Sequence, residues 1–177
     1  MKILKTSISD LIVILPDVHA DDRGFFLESF RSLWLPDHQF VQDNHSHSIM
    51  GTLRGLHYQM KNPQGKLVRV IRGKIFDVAV DLRARSPTFG NWESRLLSED
   101  NKEIFWIPPG FAHGFLVISK SADVIYRCTN YYDPKDEHTI IWNDPEIGID
   151  WPLEESRPVL SERDLNGILF SDAPSFP

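Results

Sequence analysis

Apolar residues recur along this chain with a period of two far more often than with a helical period. "LIVIL" (11–15) is a β-branched run closed by Pro16. "GKLVRVIRGKIFDVAVDLR" (65–83) reads as two strands joined at Arg72-Gly73, with Val68, Val70, Phe76, Val78 and Val80 at alternating positions. "EIFWIPPGFAHGFLVIS" (103–119) reads as strand, Pro-Pro-Gly turn and strand, and "ADVIYRCTNYY" (122–132) as one more. Runs of this kind come about every ten residues with Gly, Pro, Asn or Asp between them, the spacing of an all-β sandwich or barrel. Helical periodicity is weak. "GFFLESFRSLWLP" (24–36) is its best candidate, and a second short helix fits near Ser161–Gly167. No repeat, low-complexity stretch or internal linker interrupts the pattern, which predicts one domain over 1–177. The end "SDAPSFP" is expected to be a loose tail over about 169–177. A closed or double-sheet architecture suits these strands because it hides sheet edges, and its interior becomes a pocket wherever inward residues are polar.

Composition narrows the function. The 177 residues are 41% hydrophobic and 25% charged, with a formal net charge of -6. That balance argues against coating nucleic acid, which leans on a basic surface. It leaves room for a small anion held by local arginines. The single cysteine, Cys128, excludes an intrachain disulfide. The N-terminal stretch makes a poor signal peptide, since Asp10 interrupts it and no small-residue cleavage site follows. No apolar run approaches a membrane span. A soluble cytoplasmic protein is the expectation.

Against this background some polar residues stand out. "GTLRGLHYQ" (51–59) places Arg54 and His57 inside a predicted strand. Strict alternation would send them to opposite faces, so a shared ligand requires a bulge near Gly55, which glycine permits. In "IPPGFAHGF" (107–115) a forced turn precedes His113. This P-x-G-x-x-H pattern resembles the second motif of cupins, small jelly-roll barrels whose histidine often binds a metal. "HSH" (45–47) imitates the first cupin motif, but no glutamate follows before Glu93, and a zinc or iron site wants three or four ligands. Lys66, Tyr126 and Asp164, taken singly, read as a strand end, a core tyrosine and a helix-end residue. Arg23 and Glu28 read as a surface pair.

Taken in order, "DDRGFFLESF", "QDNHSHS", "GTLRGLHYQ", "QGKLVRVIRGKIFDVAVDLR", "SPTFGNW", "IPPGFAHGFLV", "YRCTNYYDP" and "WNDPEIGIDWP" resemble the dTDP-4-dehydrorhamnose 3,5-epimerase family over roughly residues 3–168. The resemblance implies a cupin-type jelly-roll β-barrel with a few short helices, a homodimer, no metal, no cofactor, and a dTDP-linked 4-keto-6-deoxyhexose as substrate. His57 matches the family's catalytic base, Asp164 its orienting carboxylate, Tyr126 the acid and Lys66 the residue facing the ketone oxygen. Arg54 and His113 match further pocket positions. Arg23, Glu28, Gln42, Asp43, Asn44, Glu137 and Arg163 match substrate-binding positions, and Tyr132 matches an aromatic that stacks on thymine. Arg163 is commonly lysine in relatives, which keeps the charge.

These residue types suit the chemistry. Epimerisation beside a ketone needs a base and an acid on opposite sides of the sugar and a cation for the enolate oxygen. The residues do not count the carbons inverted, so a C3-only epimerase or a ketoisomerase stays open beside the 3,5-epimerase. A metal-dependent cupin oxygenase and a non-catalytic sugar-binding barrel are the rivals from other classes.

Overall fold

The computed structural model describes residues 1–153 and 157–177. Two antiparallel sheets face each other. The larger runs β1 (Lys2–Lys5), β2 (Ile12–Leu15), β10 (Ile104–Ile107), β7 (Lys66–Arg72), β12 (Ser121–Cys128), β5 (Gln42–Ile49) in spatial order. The smaller runs β13 (Glu137–Thr139), β6 (Leu53–Gln59), β11 (Phe111–Val117), β8 (Lys74–Asp81), β9 (Trp92–Ser98). A separate two-stranded ribbon pairs β3 (Val18–Asp21) with β4 (Gly24–Leu27). This is the all-β double-sheet architecture that the alternation predicts, and it agrees with the jelly roll that the family resemblance implies.

Neighbours in sequence are often split between sheets. β7 and β8 are consecutive, yet each belongs to a different sheet. Gly73, at φ +77°, makes the corner, and a Cβ there would lie 2.0 Å from the Ser121 carbonyl oxygen. Alternation then sorts the side chains. Val68 and Val70 on β7, Val124 on β12, and Ile75 and Ala79 on β8 point between the sheets and form the inner core. Phe76, Val78 and Val80 point the other way, into a second apolar layer with Leu53, Leu56, Trp151 and Phe170. Leu67, Ile104 and Trp106, on the far side of the larger sheet, are covered by Trp34 and Leu35.

Two expectations are corrected. The predicted helix over 24–36 is instead strand β4 followed by one 3₁₀ turn, Ser32–Trp34. Its apolar residues do not share one stripe: Trp34 and Leu35 cover the sheet while Phe25 and Phe26 are exposed. The C-terminal stretch is pinned rather than loose. Phe176 exchanges backbone hydrogen bonds with the segment just after β8, its N–H donating to Leu82 (2.8 Å) and its carbonyl accepting from Ala84 (2.7 Å). The Tyr58 hydroxyl donates to the Pro174 carbonyl (2.9 Å) and Phe170 is buried. The physical reason is that the outer face of the smaller sheet is apolar and needs cover. The short helix near 161–167 forms as α1 (Glu162–Leu165), capped by Ser161 Oγ accepting from the Asp164 N–H at 3.2 Å.

Candidate active site

Between the sheets the inner core gives way to a polar cavity of about 280 Å³. One wall comes from the smaller sheet: Arg54 and His57 on β6, His113 and Phe115 on β11, Glu137 on β13. The facing wall comes from the larger sheet: Gln42, Asn44 and Ser46 on β5, Lys66 on β7, Tyr126 on β12. Gln64 and Tyr132 close the rim.

The bulge demanded by the sequence is present. β6 pairs with β11 as His57↔His113 and Arg54↔Phe115, so β6 carries one residue more than its partner over this step. Gly55 sits there at φ +131°, its α-carbon against the β11 backbone. The extra residue resets the alternation, and Arg54 and His57 both reach the cavity. Arg54 Nε donates to Ser48 Oγ (3.1 Å).

His57 Nε2 lies 2.6 Å from Asp164 Oδ1, which also accepts from the Gly55 N–H at 3.2 Å. Asp164 Oδ2 accepts from Ser161 Oγ at 2.7 Å. Burial lowers the affinity of the His57 ring for a proton, against the pull of Asp164, and the net direction is down. Burial would raise the Asp164 carboxyl, but the bonds from His57, Ser161 and Gly55 outweigh it and hold it below its ordinary value. Near neutral pH the ring is therefore neutral and the carboxylate charged. Nε2 carries the hydrogen donated to Asp164, and Nδ1 keeps its lone pair. Glu137 Oε1, at 3.9 Å, is too far to take up Nδ1 by a hydrogen bond.

Opposite, burial raises the Tyr126 phenol, as does neighbouring Cys128, against the opposing effect of Arg54. The phenol stays protonated at neutral pH and is able to give a proton. Lys66 does begin strand β7, but its side chain is enclosed in the cavity rather than solvated, and burial pulls its ammonium below the ordinary lysine value. At the mouth, the Tyr132 hydroxyl donates to Glu137 (2.9 Å) and accepts from Arg163 (3.0 Å), while Arg163 also pairs with Glu137. Gln42 Oε1 accepts from the Tyr132 N–H (2.9 Å).

Three of the expected site residues lie elsewhere. Asp43 alternates away from Gln42 and Asn44, pairs with Arg127 at 3.2 Å and lines a different cleft, of about 300 Å³, on the outer face of the larger sheet. Arg23 and Glu28 belong to the β3–β4 ribbon region, where they pair with Asp21 and Arg31 in solvent. The "HSH" pair also faces outward: His45 and His47 both contact Asp123 Oδ1, at 3.0 and 3.1 Å. Among the described residues no group of three His, Cys, Asp or Glu side chains is placed to hold a metal ion.

Sequence reasoning passed over Ser46, Gln64 and Asp77. Ser46 follows Gln42 and Asn44 at two-residue spacing and was legible on that ground. Its Oγ is enclosed and finds no hydrogen-bond partner among the described residues. Asp77, a lone carboxylate in the apolar run "KIFDVAV", is fully buried against His113.

A family model described as dTDP-4-dehydrorhamnose 3,5-epimerase matches residues 5–172. A protein of that name from Pseudomonas aeruginosa is 52% identical over 182 residues, covering 100% of both chains. One from Neisseria gonorrhoeae is also 52% identical over 98% of this chain, which spans only 54% of that longer protein. The solved structure of dTDP-6-deoxy-D-glucose-3,5-epimerase from Legionella pneumophila, in complex with dTDP-4-keto-L-rhamnose, superposes with a TM-score of 0.94 at 49% identity, covering 98% of this chain and 94% of that one.

Proposed function

Because the chain belongs to the dTDP-4-dehydrorhamnose 3,5-epimerase family, we propose that it inverts C3 and C5 of dTDP-4-dehydro-6-deoxy-D-glucose, giving dTDP-4-dehydro-L-rhamnose for deoxysugar synthesis. One observation carries the reading: an imidazole held by a buried carboxylate lies on one sheet, and a phenol and a lysine side chain lie on the sheet facing it.

The mechanism follows from that arrangement. A proton on a carbon next to the C4 ketone is acidic because its electron pair can move onto the ketone oxygen. His57 Nδ1 takes the proton, and Asp164 stabilises the imidazolium that forms. Negative charge grows on the oxygen only as the proton leaves, so the Lys66 ammonium favours the transition state over the bound ketone. The Tyr126 hydroxyl, on the opposite wall, returns a proton to the other face of the carbon, and the configuration inverts. C3 and C5 flank the same ketone, so one base and one acid serve both in turn. Every group that moves a proton or balances charge is a side chain of this protein. Tyr132, with Glu137 and Arg163 at the mouth, offers an aromatic face and hydrogen-bonding groups to the nucleobase end, and Arg54 offers a cation to the diphosphate.

Arg23 and Glu28, which match substrate-binding positions, stand on or beside the exposed β3–β4 ribbon rather than in the cavity. Phe25 and Phe26 on that ribbon are 58% and 68% exposed. A second copy of the chain accounts for both features: in a cytoplasmic homodimer the ribbon covers its aromatics on the partner and delivers Arg23 and Glu28 to the partner's cavity. Mixing inactive Arg23→Ala and His57→Asn chains then restores part of the activity, whereas a site complete within one chain gives none back.

The reaction is tested by incubating the enzyme with dTDP-4-keto-6-deoxyglucose in D₂O and following H3 and H5 by NMR. Exchange and inversion at both positions are expected. Loss of H3 alone identifies a C3-only epimerase, and no exchange identifies a binding protein.

A further inference from the structure

After one inversion the site is out of balance: His57 holds a proton that it lacked before, and Tyr126 has lost one. H3 and H5 of a gluco-configured ring project from the same face, so the second abstraction needs His57 neutral again while the sugar is still bound. The proton must leave Nδ1 through a group that the cavity presents. Asp164 is poorly placed to carry it away. It stands on the Nε2 side of the ring, its side chain is 4% exposed, and its oxygens are engaged by His57, Gly55 and Ser161. On the Nδ1 side stands Glu137, whose Oε1 is 3.9 Å from that nitrogen. Among the described residues lining the cavity, it alone carries a carboxylate. Strand pairing fixes its place: β13 meets β6 as Thr139↔His57 and Glu137↔Gln59, which makes Glu137 the diagonal cross-strand neighbour of His57. The gap is too long for a hydrogen bond at rest, so Nδ1 keeps its lone pair for the sugar. It becomes an ion-pair distance once the ring is protonated. Oε2 meets the mouth, where it accepts from the Tyr132 hydroxyl at 2.9 Å and pairs with Arg163, both of them about half exposed to solvent.

Resting on the epimerase reading, we propose that Glu137 takes the proton from His57 Nδ1 between the two inversions and passes it to water at the mouth. The Nδ1–H bond breaks with its electron pair left on nitrogen, and an O–H bond forms on Oε1. The ring is then neutral again. The carboxyl gives the same proton to water, and the Arg163 cation beside Oε2 favours that release because it stabilises the carboxylate. On the opposite wall the Tyr126 phenolate takes one proton from water, so the enzyme returns to its starting charge. Burial, which lowers the hold of the His57 ring on a proton, works in the same direction.

The test is a single turnover. Enzyme in excess over dTDP-4-keto-6-deoxyglucose is mixed in D₂O and quenched at intervals, and inversion at C3 and C5 is followed by NMR. The wild type is expected to complete both inversions with little singly inverted sugar present. Glu137→Gln keeps the shape of the side chain but accepts no proton. Its second inversion should fall behind its first by about 10²-fold, the size of a lost general base, so that singly inverted sugar accumulates. Imidazole buffer, raised at fixed pH and ionic strength, should then restore the second inversion in proportion to its concentration and leave the wild type unchanged. A role confined to folding or sugar binding slows both inversions alike and leaves the buffer nothing to restore; that result overturns the proposal. Should Glu137→Gln fail to fold, Glu137→Asp, which draws the carboxylate back by one carbon, is read in the same way. If the wild type inverts C3 alone, the same reset falls between turnovers. A buffer-dependent kcat in Glu137→Gln then supports the proposal and a buffer-independent one refutes it. A wild type that exchanges neither position removes the epimerase reading, and the relay with it.

Discussion

Asp164→Asn isolates one quantity, the charge behind the base. Asp164 Oδ1 accepts from both His57 Nε2 and the Gly55 N–H, while Oδ2 accepts from Ser161 Oγ. An asparagine with its oxygen in the Oδ1 position keeps the first two bonds. Its NH₂ then faces Ser161 Oγ, which can accept. The hydrogen-bond geometry survives and only the negative charge is lost. That charge meets an imidazolium whose centre lies about 4 Å away, an interaction of about 4 kcal/mol at the effective dielectric of a protein site. At 1.36 kcal/mol per decade this is roughly three decades, so kcat is expected to fall about a thousandfold. The carboxylate also favours the protonated ring. Its removal therefore lowers the His57 value, and the acid limb of kcat/KM moves to lower pH even as the plateau drops. The assay is kcat/KM across the acid and neutral range, together with deuterium exchange at H3 and H5. Thermal unfolding checks that the fold is kept. A variant that loses less than about tenfold in kcat, with its acid limb where the wild type has it, would refute the role given to this charge.

Three further outcomes are expected. Tyr126→Phe leaves His57 able to remove a proton and return deuterium to the same face, so label enters the unreacted sugar while epimer formation falls by about 10²-fold or more; normal epimerisation by this variant assigns the acid elsewhere. Gly55→Ala puts a Cβ 2.5 Å from the Gly114 α-carbon at a φ of +131°; it should cost about 2 kcal/mol or more, a Tm drop of roughly 5 °C, and lose activity because the bulge that aligns Arg54 with His57 is disturbed. Burial would raise the Asp81 carboxyl, but bonds from Arg83, Ser86 and Thr88 bring it down to about 2 from 3.8. A depressed value means stability that is present above the unfolded value and lost as pH falls through the folded one; Asp81→Asn should therefore cost about 2 kcal/mol at neutral pH, with wild type and variant converging between pH 4 and 2 in denaturant titrations, and a constant gap over that range would exclude the effect.

Strands β2, β6, β7, β8, β10, β11 and β12, and the need for a bulge at Gly55, were legible in the sequence, because each is a local property: two-residue alternation, or a polar pair that alternation alone would separate; β4 was not, because its apolar run imitates a helical stripe. So was the family, since "RGLHYQ" and "PPGFAHGF" place their histidines by local spacing. Tertiary structure decided what alternation leaves open, which of a strand's two faces looks into the cavity. Along β5 it chose Gln42, Asn44 and Ser46 and sent Asp43 outward. Along β8 it turned Asp77 inward between the sheets, against His113, and Phe76, Val78 and Val80 outward into a layer that the C-terminal segment covers. It also joined His57 to a carboxylate 107 residues away. No local pattern encodes that pair: its two halves lie on separate elements, β6 and α1, and only the packing of one against the other brings a charge to within 2.6 Å of the imidazole.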